Sequence, residues 1–260
     1  MNYLDIAIKA AKLCGRTHKK YFQSKLKIEI KSSSFDLVTV ADKEAEKAAV
    51  SLIHKYFPEH NFLAEESIYY RTKSEYTWII DPLDGTNNFV SGMPIFCSSI
   101  ALMRKREIIC GAIYDATRNE LFFAQKNKGA FLNGRRIRVN SVDKLDMALL
   151  ITGFYYSRGK EMIQTLETIK RFLLKRIVGI RRLGSAALDL CYVACGRAGG
   201  FWEFELSPWD FAAGKLFIEE AGGKITGRNG EKLDPSRKSF IVASNGIIHS
   251  KMLKVINKRR

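Results

Sequence analysis

The chain has 260 residues, 46% of them hydrophobic and 27% charged, with only 5 prolines. That is enough to bury about three quarters of the unfolded surface without disulfide staples, and too apolar for a long disordered arm. Lys and Arg number 43 against 27 Asp and Glu, a net +16 that first suggests a polyanionic partner. The excess is spread as +7 over residues 1–140 and +9 over 141–260, with short clusters such as Arg104-Lys105-Arg106 and Arg181-Arg182 and no basic tail, so a lysine-rich solvated surface is the simpler reading.

Along the chain, residues 3–22 put Leu4, Ile8, Ala11, Gly15 and Tyr21/Phe22 on one stripe, which predicts an amphipathic helix. Residues 31–36 read as a loop. Thr39 to Asp42 reads as a capping box opening a helix that turns Ala45, Ala49, Leu52, Ile53 and Tyr56 inward and stops before Pro58. Trp78-Ile79-Ile80 is a short strand, apolar on both faces. Residues 98–103 and 108–114 flank a charged turn and predict a hairpin, and strands at 121–125 and 137–139 bracket the Asn133-Gly134 turn. Helical pattern returns at 160–175, at 185–195 and from Pro208 to about Ala221, where Gly222-Gly223 ends it, and a last strand covers 240–243. Strands and helices in both halves indicate an α/β (α+β layered) architecture.

The five cysteines (Cys14, Cys97, Cys110, Cys191 and Cys195) include no Cys-x-x-Cys pair and lie mostly in apolar stretches. They read as buried thiols of a reducing compartment rather than a disulfide frame or zinc site. The N-terminus has no signal-peptide pattern, and the uncharged run 85–103 is too interrupted by Asn, Ser, Gly and Pro to span a bilayer. A cytoplasmic protein without a membrane partner is expected.

The densest chemistry is Asp81-Pro82-Leu83-Asp84-Gly85-Thr86, directly after the Trp78–Ile80 strand. Two carboxylates three residues apart, with Pro fixing φ between them, can converge on one point. They fall short of a full ligand set for a hard cation such as Mg²⁺, which keeps waters and takes substrate phosphate oxygens. The Gly85-Thr86-Asn87-Asn88 segment can start a helical turn whose amides receive a phosphate. Each acid also has a plain structural reading. Asp81 and Asp84 fit a solvated Pro-Asp-Gly turn, Glu65 and Glu66 a surface loop, and Asp42 and Asp210 the N3 positions of helices begun by Thr39 and Ser207-Pro208.

The order of these acids resembles the inositol monophosphatase family of Mg²⁺-dependent, Li⁺-sensitive phosphatases, over nearly the whole chain. The similarity runs through Lys31-Ser32-Ser33 and Asp36 to Asp42, Ala64-Glu65-Glu66-Ser67 (Ala where the family has Gly), Trp78 to Phe89 (Leu83 for Ile), Trp209 to Gly214 and Glu220 to Gly223. Arg181 to Ala187 and Trp202 to Glu205 look most like the bacterial, inositol-1-monophosphatase-like branch.

The resemblance implies the inositol monophosphatase/fructose bisphosphatase-like αβαβα sandwich. Residues 1–140 would form an α+β half carrying most metal ligands, and 141–260 an α/β half with Asp210 and the substrate wall. It implies one cation held by Glu65, Asp81 and the Leu83 carbonyl, a second held by Asp81, Asp84 and Asp210, and a weaker third near Glu65. Mg²⁺ is the expected ion and Mn²⁺ a substitute. Thr86 resembles the water-activating threonine, with Asp42 behind it and Glu65 completing the catalytic group. Gly85 and Thr86 match the phosphate-binding amides. Gly184, Ser185, Ala186 and Glu203, with Asp84 and Asp210, match the wall around the substrate alcohol, and Lys31 and Asp36 a mobile loop. Position 205 carries Glu where the family commonly has Gly, which either alters substrate preference or faces solvent. Ala64 removes a glycine's freedom just before Glu65.

The implied reaction is hydrolysis of inositol monophosphate, or a similar phosphorylated polyol or sugar, by activated water. Related alternatives are fructose bisphosphate, a nucleotide bisphosphate or NADP, and one of another class is an RNA- or transcription-associated binding protein. The family is usually homodimeric, and the hydrophobic segments 98–114 and 181–195 are the expected interface.

Overall fold

A computed structural model describes residues 2–24, 28–30, 37–66, 69–70, 72–154 and 159–258. The first half runs α1 (Tyr3–Tyr21), β1 (Ile28–Ile30), β2 (Leu37–Thr39), α2 (Val40–Tyr56), β3 (Asn61–Ala64), β4 (Tyr69–Tyr70), β5 (Tyr76–Asp84), α3 (Thr86–Val90), β6 (Cys97–Arg104), β7 (Glu107–Asp115), β8 (Glu120–Gln125), β9 (Gly129–Leu132) and β10 (Arg135–Ile137). The second runs β11 (Leu149–Thr152), α4 (Lys160–Leu173), β12 (Gly179–Arg181), α5 (Ala186–Ala194), β13 (Gly200–Leu206), α6 (Pro208–Glu220), β14 (Lys224–Thr226), β15 (Ser239–Ser244) and α7 (His249–Ile256).

An eight-stranded sheet has the order β10-β9-β8-β7-β6-β5-β3-β4, and a five-stranded sheet the order β12-β11-β13-β15-β14. Helices α1 and α2 cover one face of the large sheet, α5 and α6 lie between the sheets, and α4 and α7 cover the outer face of the small one. The αβαβα sandwich is therefore present. Its largest apolar cluster joins Ile79, Phe122 and Ile151 to Leu190, Phe211 and Phe217 in the layer between the sheets.

Because both faces of the large sheet are covered, β6 and β7 are apolar almost without alternation. This leaves little of strands 98–114 and of α5 for the expected interface, while Arg181 to Gly184 stay exposed or half-buried. The apolar side chains of β6, most of those of β7 and nearly all of those of α5 are consumed in the core of one chain.

Several elements differ from the sequence reading for identifiable reasons. On α1 the buried face is Ile6, Ala7, Ala10, Ala11, Cys14, Gly15 and His18, while Leu4 and Ile8 are only half-buried. Small residues let the helix sit close to β7, and a Cβ on Gly15 would lie 2.4 Å from the Tyr114 ring. On α2, Tyr56 is exposed and the polar Asp42 and Glu46 are buried instead. The Trp78 strand does not stop at Ile80 but runs on through Asp84, so the acidic motif lies within a strand. The Asn133-Gly134 turn joins β9 to β10, with β9 absent from the sequence reading. Strands β11, β12 and β14, of 3 or 4 residues, are too short to carry a period, and α7 was also missed. All five cysteines are free and four are buried, as expected. No helix among the described residues is long and apolar enough to cross a membrane.

Candidate active site

The site begins with a fault in β5. In a regular strand, residues three apart point to opposite faces. Asp81 pairs with Ser99 and Asp84 with Cys97, so three steps on β5 match two on β6. This bulge at Pro82-Leu83 turns both carboxylates to one side. The Leu83 amide, released from the ladder, donates to Asp81 Oδ1 at 3.0 Å. Beyond Asp84 the chain turns through Gly85 at φ +96°, where a Cβ would lie 2.9 Å from the Ile95 carbonyl oxygen, so only glycine fits. Helix α3 starts there.

Three longer helices begin at this point, and each is held by an acid. Asp42 Oδ2 accepts from the Thr39 amide at 2.7 Å and the Thr39 hydroxyl at 2.6 Å, closing the start of α2. Asp210 Oδ2 accepts from the Ser207 amide at 2.7 Å at the start of α6. Asp84 Oδ2 accepts from the Ala187 amide at 2.8 Å and from the Ser185 hydroxyl, satisfying the start of α5 from 103 residues away. A helix N-terminus carries partial positive charge, so these ends also favour the carboxylates they meet.

Carboxylate oxygens of Asp81, Asp84 and Asp210 lie within 4.8 Å of one another. Glu65 follows β3, tied by its amide to the Ile80 carbonyl at 3.2 Å, and buried Glu46 accepts from the next amide, Glu66, at 2.7 Å. Burial first, then the charges of Glu65, Asp84 and Asp210, push Asp81 well above the usual carboxylate range. Burial, then Asp84 and Glu65, do the same to Asp210. Asp84 is raised by burial only to about 6, because Ser185, Ala187, Ala186 and Cys97 all donate toward it. The grouping is thus electrostatically unfavourable as it stands, and its donors are all oxygen. A hard divalent cation meets both conditions, since it needs oxygen ligands and would relieve the repulsion.

The Thr86 hydroxyl is 3.0 Å from Asp42 Oδ1 and 3.0 Å from the Leu83 carbonyl, so Asp42 uses one oxygen for its helix and the other for the site. Asn88 donates to the Ile95 and Leu183 carbonyls, both at 2.8 Å, and ties α3 to the Gly184–Ala186 segment. Glu203, on β13, is 7% exposed. Burial raises it to about 8, opposed by Arg182 and reinforced by Asp84. Its carboxylate lies against Gly153, where a Cβ would come within 1.9 Å of Oε2.

The structure thus brings Asp42, Glu65, Asp81, Leu83, Asp84, Gly85, Thr86, Gly184, Ser185, Ala186, Glu203 and Asp210 into one region. Lys31 and Asp36 lie outside the described residues. Ala64 is an ordinary strand residue paired with Ile80, so the loss of glycine there does not strain the approach to Glu65. Glu205 is exposed, and its φ of +51° shows why a glycine suits the position.

Three residues near the site escaped the sequence reading. His18 reaches the Pro82 carbonyl from α1. Cys97 lies 3.8 Å from Asp84 Oδ2. Asp189 is 1% exposed with no hydrogen-bond partner for either oxygen. Burial, then Glu203 and Asp84, push Asp189 well above the usual range. The signal for Asp189 was available, as one acid inside the apolar run Ala186 to Leu190.

Residues 2–260 match the sequence model of the inositol monophosphatase family. The chain belongs to this family. It is 38% identical to a fructose-1,6-bisphosphatase/inositol-1-monophosphatase of Thermotoga maritima over 258 residues, 99% of this chain and 97% of that one. It is 42% identical to the Nus factor SuhB of Escherichia coli over 225 residues, 86% and 84% of the two chains. The crystal structure of the extragenic suppressor protein suhB from Bartonella henselae superposes with a TM-score of 0.93 at 38% identity, covering 98% of both chains. Membership of the inositol monophosphatase family supports a phosphatase acting on a phosphorylated substrate. The family is generally metal-dependent, and the acidic group of this chain can hold a metal.

Proposed function

We propose that the protein is a Mg²⁺-dependent phosphatase hydrolysing inositol monophosphate or a similar small phosphate monoester. The observation that carries this reading is the convergence of Asp81, Asp84 and Asp210 within 4.8 Å, their carboxyls all pushed upward. Glu65, Asp81 and the Leu83 carbonyl would hold one cation and Asp81, Asp84 and Asp210 another, with a weaker third beside Glu65. Mn²⁺ would substitute. When bound, the cations neutralise phosphate oxygens, lower the pKa of water and stabilise the leaving alkoxide.

The remaining roles fall to the chain. Thr86 gives its proton to Asp42 Oδ1 and turns a lone pair to the attacking water, whose proton it accepts. The Gly85 and Thr86 amides hold phosphate oxygens. Glu203, kept largely protonated by burial, exchanges hydrogen bonds with a substrate hydroxyl, and Gly184, Ser185 and Ala186 wall the alcohol. The halves 1–140 and 141–260 act as one unit, because the proposed ligands come from both. The same machinery suits fructose bisphosphate, a nucleotide bisphosphate or NADP. Lithium sensitivity, a homodimer and a cytoplasmic location belong to this reading.

Phosphate release with and without Mg²⁺, across inositol, sugar and nucleotide phosphates and repeated with Li⁺, tests it. Metal-independent release, or Asp81→Asn turning over like wild type, would overturn the mechanism. Faster turnover of a nucleotide bisphosphate would replace the substrate.

A second reading is favoured by the relative named as a Nus factor and by the +16 charge. In it the chain acts as an RNA- or transcription-associated protein. RNA binding that weakens with salt and survives Asp81→Asn would support it.

A further inference from the structure

His18 belongs to none of the motifs, yet its side chain reaches from α1 to the backbone of the acidic motif. It is fully buried, its ring edge-on to Phe89 at 6.1 Å and Phe96 at 5.7 Å, and its Nε2 lies 2.8 Å from the Pro82 carbonyl oxygen. A carbonyl only accepts, so the proton is on Nε2. Nδ1 has no partner, and burial lowers the ring to about 4, leaving a neutral imidazole with one N–H to give.

The Pro82 carbonyl and the Leu83 N–H are opposite ends of one planar peptide group. That N–H donates to Asp81 Oδ1 at 3.0 Å. The bulge leaves Pro82 and Leu83 without Cα partners on β6, so the sheet ladder does not orient this peptide. Fixing its carbonyl end from α1 fixes the direction of its N–H, and with it the rotation of the Asp81 carboxylate.

We propose that His18 is a positioning residue for the cation site, its Nε2–H setting through the Pro82–Leu83 peptide the orientation in which Asp81 meets a divalent cation. This rests on the reading of the acids as a Mg²⁺ site. Second-layer partners of metal ligands typically change metal affinity by about 10–100-fold when removed.

The test compares His18→Leu, His18→Gln and His18→Asn. A Gln amide nitrogen reaches about as far from the backbone as Nε2, and an Asn amide only as far as Nδ1. Two quantities are read: the rise in unfolding temperature as Mg²⁺ is added, and the Mg²⁺ concentration for half-maximal phosphate release beside the substrate KM. His18→Leu and His18→Asn should raise the half-saturating Mg²⁺ about tenfold by both readouts. Substrate KM at saturating Mg²⁺ should stay unchanged, and His18→Gln should restore most of the wild-type affinity. If His18→Leu does not fold, the Gln and Asn pair decides alone. Equal Mg²⁺ affinity in the Gln and Asn variants would overturn the role of His18 while leaving the metal site standing. A wild-type protein indifferent to Mg²⁺ in both readouts would overturn the metal reading, and this inference with it.

Discussion

Glu203 makes the buried acids measurable one at a time. Its carboxyl moves from an ordinary 4.5 to about 8 on folding, chiefly through burial. Between these values the folded chain holds a proton that the unfolded chain has released, so stability falls as pH rises through that window, by about 1.4 kcal/mol per pH unit. From about pH 5 to pH 7.5 the loss is about 3 kcal/mol. For 260 residues the unfolding entropy makes this about 5 °C in melting temperature. Glu203→Gln keeps the shape of the protonated acid and cannot ionise, so it should lack this loss. Calorimetric melting of both proteins in chelator, stepped across that range, gives the result as a difference. While Glu203 stays protonated in the folded chain, contributions from Asp81, Asp84, Asp189 and Asp210 largely cancel in the subtraction. The variant should melt close to wild type at the acid end and about 5 °C higher at the alkaline end. A gap that does not change with pH would refute the burial argument.

Thr86→Ala, which removes the hydroxyl proposed to link Asp42 to the attacking water, should lower kcat about 10²–10³-fold. Its Mg²⁺-induced melting shift should be unchanged and Thr86→Ser should recover most of the rate; a wild-type kcat in Thr86→Ala sinks the relay. Glu205→Gly relieves a left-handed backbone at an exposed residue and should stabilise by about 1 kcal/mol. That is about 2 °C by calorimetry, and an unchanged or lower value contradicts it. Gly153→Ala would place a Cβ within 1.9 Å of Glu203 Oε2 and push the carboxyl aside. KM for inositol phosphate should then rise up to about tenfold, the net worth of one substrate hydrogen bond, while an aryl phosphate without hydroxyls is little affected. A parallel rise for both substrates would remove Glu203 from the substrate wall.

What could be read from the sequence was what is local. The boxes at Thr39–Asp42 and Ser207–Asp210 close over three residues, and both formed as written. The spacing of Asp81 and Asp84 suggested convergence, but the means is a bulge against β6 that depends on a partner strand. Ser185 and Ala187 reach Asp84 across more than a hundred residues, which no local pattern encodes. On α1 the stripe through Ala11 and Gly15 was legible, but the buried face centres on Ile6, Ala7, Ala10 and Cys14 rather than on Leu4 and Ile8, because small residues allow the closer approach to the sheet. The short strands of the second sheet take their form from their neighbours rather than from propensity.

Asp42, Asp84 and Asp210 each hold the first turn of a helix as well as facing the centre. A descendant that abandoned hydrolysis and survived as a binding protein would still draw stability from all three, about 1 kcal/mol for each helix start. Selection for the fold alone would preserve them, and their persistence would look like retained chemistry. Asp81 and Glu65 begin no helix, so drift would reach these two first. In deciding which members of such a lineage still work as enzymes, these two positions are therefore more informative than the three that also start helices.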